Sequence, residues 1–199
     1  MLTLSTLGSW SNVAAMKRDT YHHGALRQTL LQEARALLDE GGPEAVTLRE
    51  AARRSGVSAT ATYRHFRDKD ALLAALAVEG FEEFGERLAA SVADGRPFSE
   101  MGRAYVAFAL DRPGLFRLMF SSLLTRRSEH PEFEAASARA FLALQAASRG
   151  YELTPARDEA AAISAWSLAH GLAHLLLDKV IPSEAREATL DAVFGPRAP

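Results

Sequence analysis

Cysteine is absent from the 199 residues. Disulfide frameworks, thiolate zinc sites and cysteine nucleophiles are excluded with it. The absence is compatible with a reducing, cytoplasmic setting. Net charge is nearly absent as well, at −2 by formal count, so bulk electrostatics announce no nucleic-acid partner. Little of the chain reads as strand, because β-branched residues are scattered. No continuous apolar run of the roughly 18 residues needed by a spanning helix is evident, and no membrane partner is expected. The first 15 residues lack the positive segment of a secretory signal. They carry no charge and are expected to form a disordered extension, with the folded part starting near Met16.

The charge that is present is unevenly placed. Residues 16–69 hold ten Lys/Arg against seven Asp/Glu, whereas residues 70–199 hold thirteen against eighteen. A mildly basic head on an acidic body fits local phosphate contact better than whole-surface binding. Hydrophobic residues make up 48%, enough for a real core and too many for a disordered chain. Ala, Leu, Glu and Arg dominate and favour helix. Gly41-Gly42-Pro43, Gly56, Gly95-Arg96-Pro97, Pro113-Gly114, Pro131, Gly150, Pro155, Pro182 and Gly195-Pro196 punctuate the chain. The pattern predicts an all-α fold of nine helices.

Leu26, Leu30, Ala34, Leu37 and Leu38 recur at three and four residues. They predict a first helix over about 21–40, stopped by Gly41-Gly42. Thr47-Leu48-Arg49-Glu50 reads as a capping box: the Thr47 hydroxyl takes the N–H of residue 50, and Glu50 reaches back to the N–H of residue 47. Leu48, Ala51 and Ala52 then face inward. Gly56 breaks the second helix, since it tolerates a positive φ. Ser58 caps a third helix running to about His65, anchored by Val57 and by Tyr63 or Phe66. Asp68 caps a long fourth helix with Leu72, Leu73, Leu76, Phe81 and Phe84 on its apolar face. Further helices are predicted over about 98–110, 112–124, 132–149, 155–178 and 184–194. Thr154-Pro155 supplies a cap followed by Pro at the first helical position.

Two short helices joined by a Gly-containing turn form a helix-turn-helix. The small Ala51 and Ala52 let them cross closely, so the later helix stands out toward a DNA major groove about 12 Å wide. The run from Thr47 to Leu73 resembles the DNA-binding domain of the TetR family. The matching elements are Thr47, Ala52, Gly56-Val57-Ser58, Tyr63-Arg64-His65-Phe66, Lys69 and Leu72, with Tyr21-His22-His23-Gly24-Ala25-Leu26-Arg27 upstream. The resemblance covers about residues 17–75. It implies a helix-turn-helix domain over 16–69 and a ligand-binding and dimerisation domain over 70–199.

Carried over by position, the resemblance puts Thr47 and Arg49 against phosphates, which helix N-termini favour in any case. It puts Ser58, Ala59, Thr60 and Ala61 near base edges, where the alanines offer only apolar contact, best with a thymine methyl. Tyr63, His65 and Lys69 correspond to phosphate contacts, and Arg64 to a phosphate or a guanine edge. Lys17, Arg18, His22 and His23 form a candidate basic arm. Thr60 and Thr62 depart from the family pattern, which more often has a small residue or Pro at the first and Leu at the second. Arg53 and Arg54 read as a solvated face.

Residues 98–178 are rich in aromatics at helical spacing. Arg112–Phe120 together with Trp166 and His170-Gly171 resemble the WHG-type C-terminal domain of some TetR regulators. The resemblance implies an apolar effector cavity with Tyr105, Phe108, Phe116, Met119, Phe120, Trp166 and His170 as candidate ligand contacts. Ala160, Ala161, Ala162, Ala165, Ala169, Gly171 and Ala173 make one helix rich in small side chains. With Leu168, Leu172, Leu175, Leu176, Leu190, Val193 and Phe194 they suit a homodimer built on the last two helices, matched to a palindromic operator.

The expected function is thus a ligand-responsive DNA-binding regulator, a repressor released by a small, largely apolar effector. No catalytic residue, cofactor or metal is expected. His170, His174 and Asp178 share one helical face at intervals of four, but Gly171 stands where a zincin helix has its Glu. Ser167 and His170 are poorly disposed as nucleophile and base. An enzyme using these groups, or a helix-turn-helix turned to protein binding, are the alternatives.

Overall fold

The computed structural model describes residues 11–121, 129–148 and 155–197; the side chains of residues 11–24 and 155–159 are outside that description. Among the described residues there are nine α-helices and no strand, as the composition and spacing predict. They are α1 (Ser11–Ala45), α2 (Leu48–Arg54), α3 (Ala59–Tyr63), α4 (Lys69–Ser91), α5 (Phe98–Asp111), α6 (Pro113–Met119), α7 (Pro131–Ser148), α8 (Pro155–Leu177) and α9 (Arg186–Phe194).

α1 starts well before the apolar stripe begins. Adding residues to an existing helix lacks the cost of nucleation, so a polar stretch with no stripe of its own can extend one. Residues 1–10 lie outside the described residues, and 11–15 belong to α1. The helix is interrupted at Gly42, whose φ is 70°. α6 is shorter than the spacing predicts: Phe120, at φ −105° and ψ 7°, leaves the helix.

The starts of α2, α3 and α4 are chemically defined. The Thr47 hydroxyl accepts the Glu50 N–H at 3.1 Å. Ser58 accepts from Ala61 N–H at 3.2 Å, and Asp68 from Ala71 N–H at 2.8 Å. Each satisfies one of the amide groups that a helix leaves open at its start. Between α2 and α3 the chain turns at Gly56 with φ 68°, a conformation a residue with a Cβ resists.

One buried cluster runs from Leu30 in α1 to Leu190 in α9. α4 is its axis, packing against α1, α5, α6 and α7. Leu72, Leu73, Leu76, Phe81 and Phe84 are buried along it, and so are the small Ala74, Ala77 and Gly80. Small residues on a second face explain how one helix accepts neighbours on several sides. The core therefore continues without a break from the helix-turn-helix into the body.

The stretch Ala160–Leu177 corrects one expectation. Its 18 residues average a hydropathy of 1.4, which by length and composition alone is enough to cross a membrane. Ser, His and Gly interrupt the run to the eye, but no charged side chain does. Only 28% of it is buried within the protomer.

Candidate DNA-binding face and ligand cavity

α3 packs against α2 and is held to the core by its own buried side chains. Thr62 is fully buried, and Phe66 is 3% exposed with the Arg27 guanidinium 5.3 Å from its ring centroid. Tyr63, one of the two candidate anchors, is 59% exposed, so Phe66 does the anchoring. The buried Thr62 hydroxyl has no hydrogen-bond partner among the described residues.

The outer surface of this pair brings the candidate DNA contacts together. Thr47, Arg49, Ser58, Ala59, Thr60, Tyr63 and Arg64 are exposed; Ala61, His65 and Lys69 are half-buried. Lys17, Arg18, His22 and His23 fall where side chains are outside the described residues.

The arginines divide into two groups. Arg53 is bidentate to Glu50 at 2.8 and 2.6 Å, and Arg54 is bidentate to Glu40 at 2.7 and 2.6 Å. The Arg53 hydrogen bonds hold the Glu50 carboxyl down at about 2. Arg49 and Arg64, by contrast, have no ion pair within the described residues. Glu50 therefore completes only half of the expected capping box. Its side chain goes to Arg53 and Arg54 rather than back to Thr47, because two guanidinium groups bind a carboxylate more strongly than one amide does.

Lys69 opens α4, and among the described residues its ammonium pairs only with Glu44, at 3.9 Å. A cation at a helix N-terminus opposes the helix dipole. Its position is thus unfavourable for the helix alone and favourable for an external anion.

The second feature is a cavity of about 620 Å³ between α4, α5, α7 and α8, closed by the end of α6. Five of the seven candidate ligand residues line it: Tyr105, Met119, Phe120, Trp166 and His170. Phe108 and Phe116 do not; both are fully buried, edge-on against Phe84 at 5.1 Å and Tyr105 at 5.8 Å. They back the wall. The other large lining residues are Phe81, Phe84, Leu88, Phe141 and Leu144. In the sequence the first two are recognisable only as an apolar helix face, since spacing cannot separate a core contact from a cavity wall.

The described lining of the cavity is largely aromatic and carries no Asp, Glu, Lys or Arg. Its rings meet mostly edge to face: Phe81–Phe120 at 5.5 Å, Phe84–Tyr105 at 4.9 Å, Phe120–His170 at 4.8 Å and Phe141–Trp166 at 5.8 Å. Its polar end is a relay. The Trp166 indole donates to the Tyr105 hydroxyl at 3.0 Å, and that hydroxyl lies 2.8 Å from Nδ1 of His170. Burial pushes the Tyr105 phenol above its ordinary value. Burial, and after it the neighbouring His174, pulls His170 below the usual imidazole value, which favours the uncharged ring.

The metal alternative finds no support in this geometry. Asp178 is paired with Arg117 at 2.6 Å, His170 is bonded to Tyr105, and Phe116 lies 5.4 and 5.5 Å from the two imidazoles. No metal-binding cluster occurs among the described residues.

Comparison with known families settles the class. Residues 30–76 match the model of bacterial regulatory proteins of the tetR family, and residues 98–194 match the tetracyclin repressor-like C-terminal domain. The chain is a member of the TetR family. The C-terminal match includes Trp166 and His170-Gly171 within its span. Membership makes this TetR regulator a DNA-binding transcriptional regulator rather than an enzyme. No curated protein is significantly similar in sequence.

Solved structures share the fold. A protein with unknown function from Rhodococcus sp. RHA1 is 29% identical, with a TM-score of 0.74 over 87% of this chain and 96% of its own. The TetR family regulator PfmR from Thermus thermophilus is 17% identical, with a TM-score of 0.61 over 85% and 99%. SmeT, solved as a complex with triclosan, is 21% identical, with a TM-score of 0.55 over 85% and 90%.

Proposed function

We propose that this TetR regulator is a repressor that binds a palindromic operator as a homodimer and releases it when a small, largely apolar effector enters the aromatic cavity. One observation carries the reading: a single short helix joins the two features. α6 presents Met119, with Phe120 just beyond it, to the cavity. At its other end Gly114 sits against α1, so close that a Cβ there would lie 2.7 Å from the Leu38 carbonyl oxygen. An occupant that moves Met119 or Phe120 moves the seat of the helix that carries the DNA-binding pair. Such an effector acts only through different affinity for two arrangements, and a few kcal/mol of coupling is enough. The regulator works in the cytoplasm, where its operator is.

On DNA, Thr47, Arg49, Tyr63, His65 and Lys69 take phosphates. Ser58, Ala59, Thr60 and Ala61 approach base edges, and Arg64 reaches either. Selection from random duplexes, followed by footprinting at low salt, should yield a two-fold symmetric site; no protected site would refute the reading. On that site, Lys69→Ala should weaken binding to every sequence and flatten the log–log salt dependence by about one unit. An unchanged slope removes Lys69 from the contacts.

The dimer forms through α8 and α9. Leu168 is 52% exposed, and Ile163, Leu175, Val180 and Val193 are exposed beside it, an apolar surface that a partner copy would cover. Leu172, Leu176 and Leu190, also candidates for that interface, are buried within the protomer. A Cβ added at Gly171 would meet nothing within 4 Å among the described residues, so the small residue there answers to no packing seen inside one copy. Gly171→Trp should therefore leave helicity unchanged while shifting the sedimentation profile from dimer to monomer. A wild-type protein that sediments as a monomer at micromolar concentration would refute this interface.

A further inference from the structure

The hydrogen count of the Trp166–Tyr105–His170 relay says what kind of molecule the cavity takes. Indole N–H can only donate, so the Tyr105 oxygen accepts from Trp166. The contact between Tyr105 and His170 can run either way. If the hydroxyl donates to Nδ1, the proton of the neutral imidazole sits on Nε2 and has no partner among the described residues. If Nδ1–H donates to the hydroxyl, the hydroxyl proton is left over instead. Three polar hydrogens serve two bonds in both tautomers, so one donor hydrogen always remains at this end of the cavity.

No other described group of the wall is hydrogen-bonded to the relay. Ser137 donates to the Glu134 carbonyl at 3.0 Å, Ser167 is exposed, and the remaining lining side chains are apolar. Among the described residues no Asp, Glu, Lys or Arg lines the cavity. A charged guest would lose its hydration with no counter-ion in return. A cation would in addition face the positive end of the leftover donor.

We propose that the cavity binds an uncharged molecule with an aromatic body and a neutral acceptor oxygen, of the aryl ketone kind, seated against Tyr105 and His170. This deepens the effector reading above and rests on it for its biological meaning.

Benzophenone is a suitable probe, because its oxygen can only accept. Isothermal titration calorimetry of the full chain without DNA should show it binding on the order of tenfold more tightly than diphenylmethane, the gain expected from one added hydrogen bond to a donor that the described residues leave without a partner. It should also bind more tightly than 4-benzoylbenzoate and (4-benzoylbenzyl)trimethylammonium. The infrared carbonyl band of the bound ketone should lie below its position in alkane. Irradiation of the complex should attach the ketone to a peptide lining the cavity, Met119 and Leu144 being nearby acceptors of the photochemistry.

Equal affinity for diphenylmethane overturns the proposal. So does tighter binding of either charged probe, an unshifted carbonyl band, attachment only outside the cavity, or no saturable binding of benzophenone. Operator affinity is measured separately. Ketone binding with the stated preference but no operator release would remove the effector reading and leave the chemistry of the cavity standing.

Discussion

Thr60→Glu is expected to weaken operator binding by roughly a hundredfold while leaving the protein folded. Thr60 is exposed on α3, just inside its Ser58 cap. A carboxylate in the first turn agrees with the helix dipole, so the helix should be no less stable. Facing duplex DNA, the same carboxylate meets phosphate and base-edge acceptors, and like-charge contact of that kind costs several kcal/mol. About 3 kcal/mol corresponds to roughly a hundredfold loss. Fluorescence anisotropy with a labelled operator, beside thermal melting of the same preparation, separates the two effects. Undiminished affinity would mean that α3 does not enter the groove.

Gly114→Val is expected to act from the opposite side, on the seam between α6 and α1. The added Cβ would stand 2.7 Å from a backbone oxygen, that of Leu38, and 3.4 Å from the Leu38 Cγ. A side chain tip could swing aside, but a carbonyl inside α1 cannot move without moving the helix. Overpacking typically costs 1–3 kcal/mol and occasionally more, and about 3 kcal/mol is expected here. Urea denaturation should show a lower midpoint. Where the protein still folds, effector and operator should lose part of their mutual dependence, because the seat between α6 and α1 has been forced apart. Wild-type stability together with wild-type coupling would show that α6 does not carry the signal.

Much of the DNA-binding half could be read without coordinates, because its determinants are local. Thr47, Ser58 and Asp68 act on amides three residues away. Gly56 acts on its own φ. The capping box shows the limit of this: the pairing of Thr47 with Glu50 was readable, but the competition for Glu50 involved Arg54, whose own position depends on Glu40 in another helix. Tyr63 and Phe66 show a second limit. Both are aromatic and three residues apart, so sequence spacing gives them equal claims to the core. Which one turns inward depends on where α1 and Arg27 lie.

In the body the relay joins Tyr105 on α5 to Trp166 and His170 on α8, more than sixty positions away in sequence. No short-range pattern links them. The aromatic spacing showed that large rings would meet, but packing alone decided that Phe108 and Phe116 fill space while Phe81 and Phe84 border it.

What the chain determines by itself is the helical class, the caps and the helix-turn-helix, since period, propensity and capping operate over four residues or fewer. What only the tertiary structure decided is which arginines are left for an anion, which aromatics surround the cavity, and how tightly Gly114 ties that cavity to α1. Each of those depends on distances between helices, and these follow from the packing of many side chains at once.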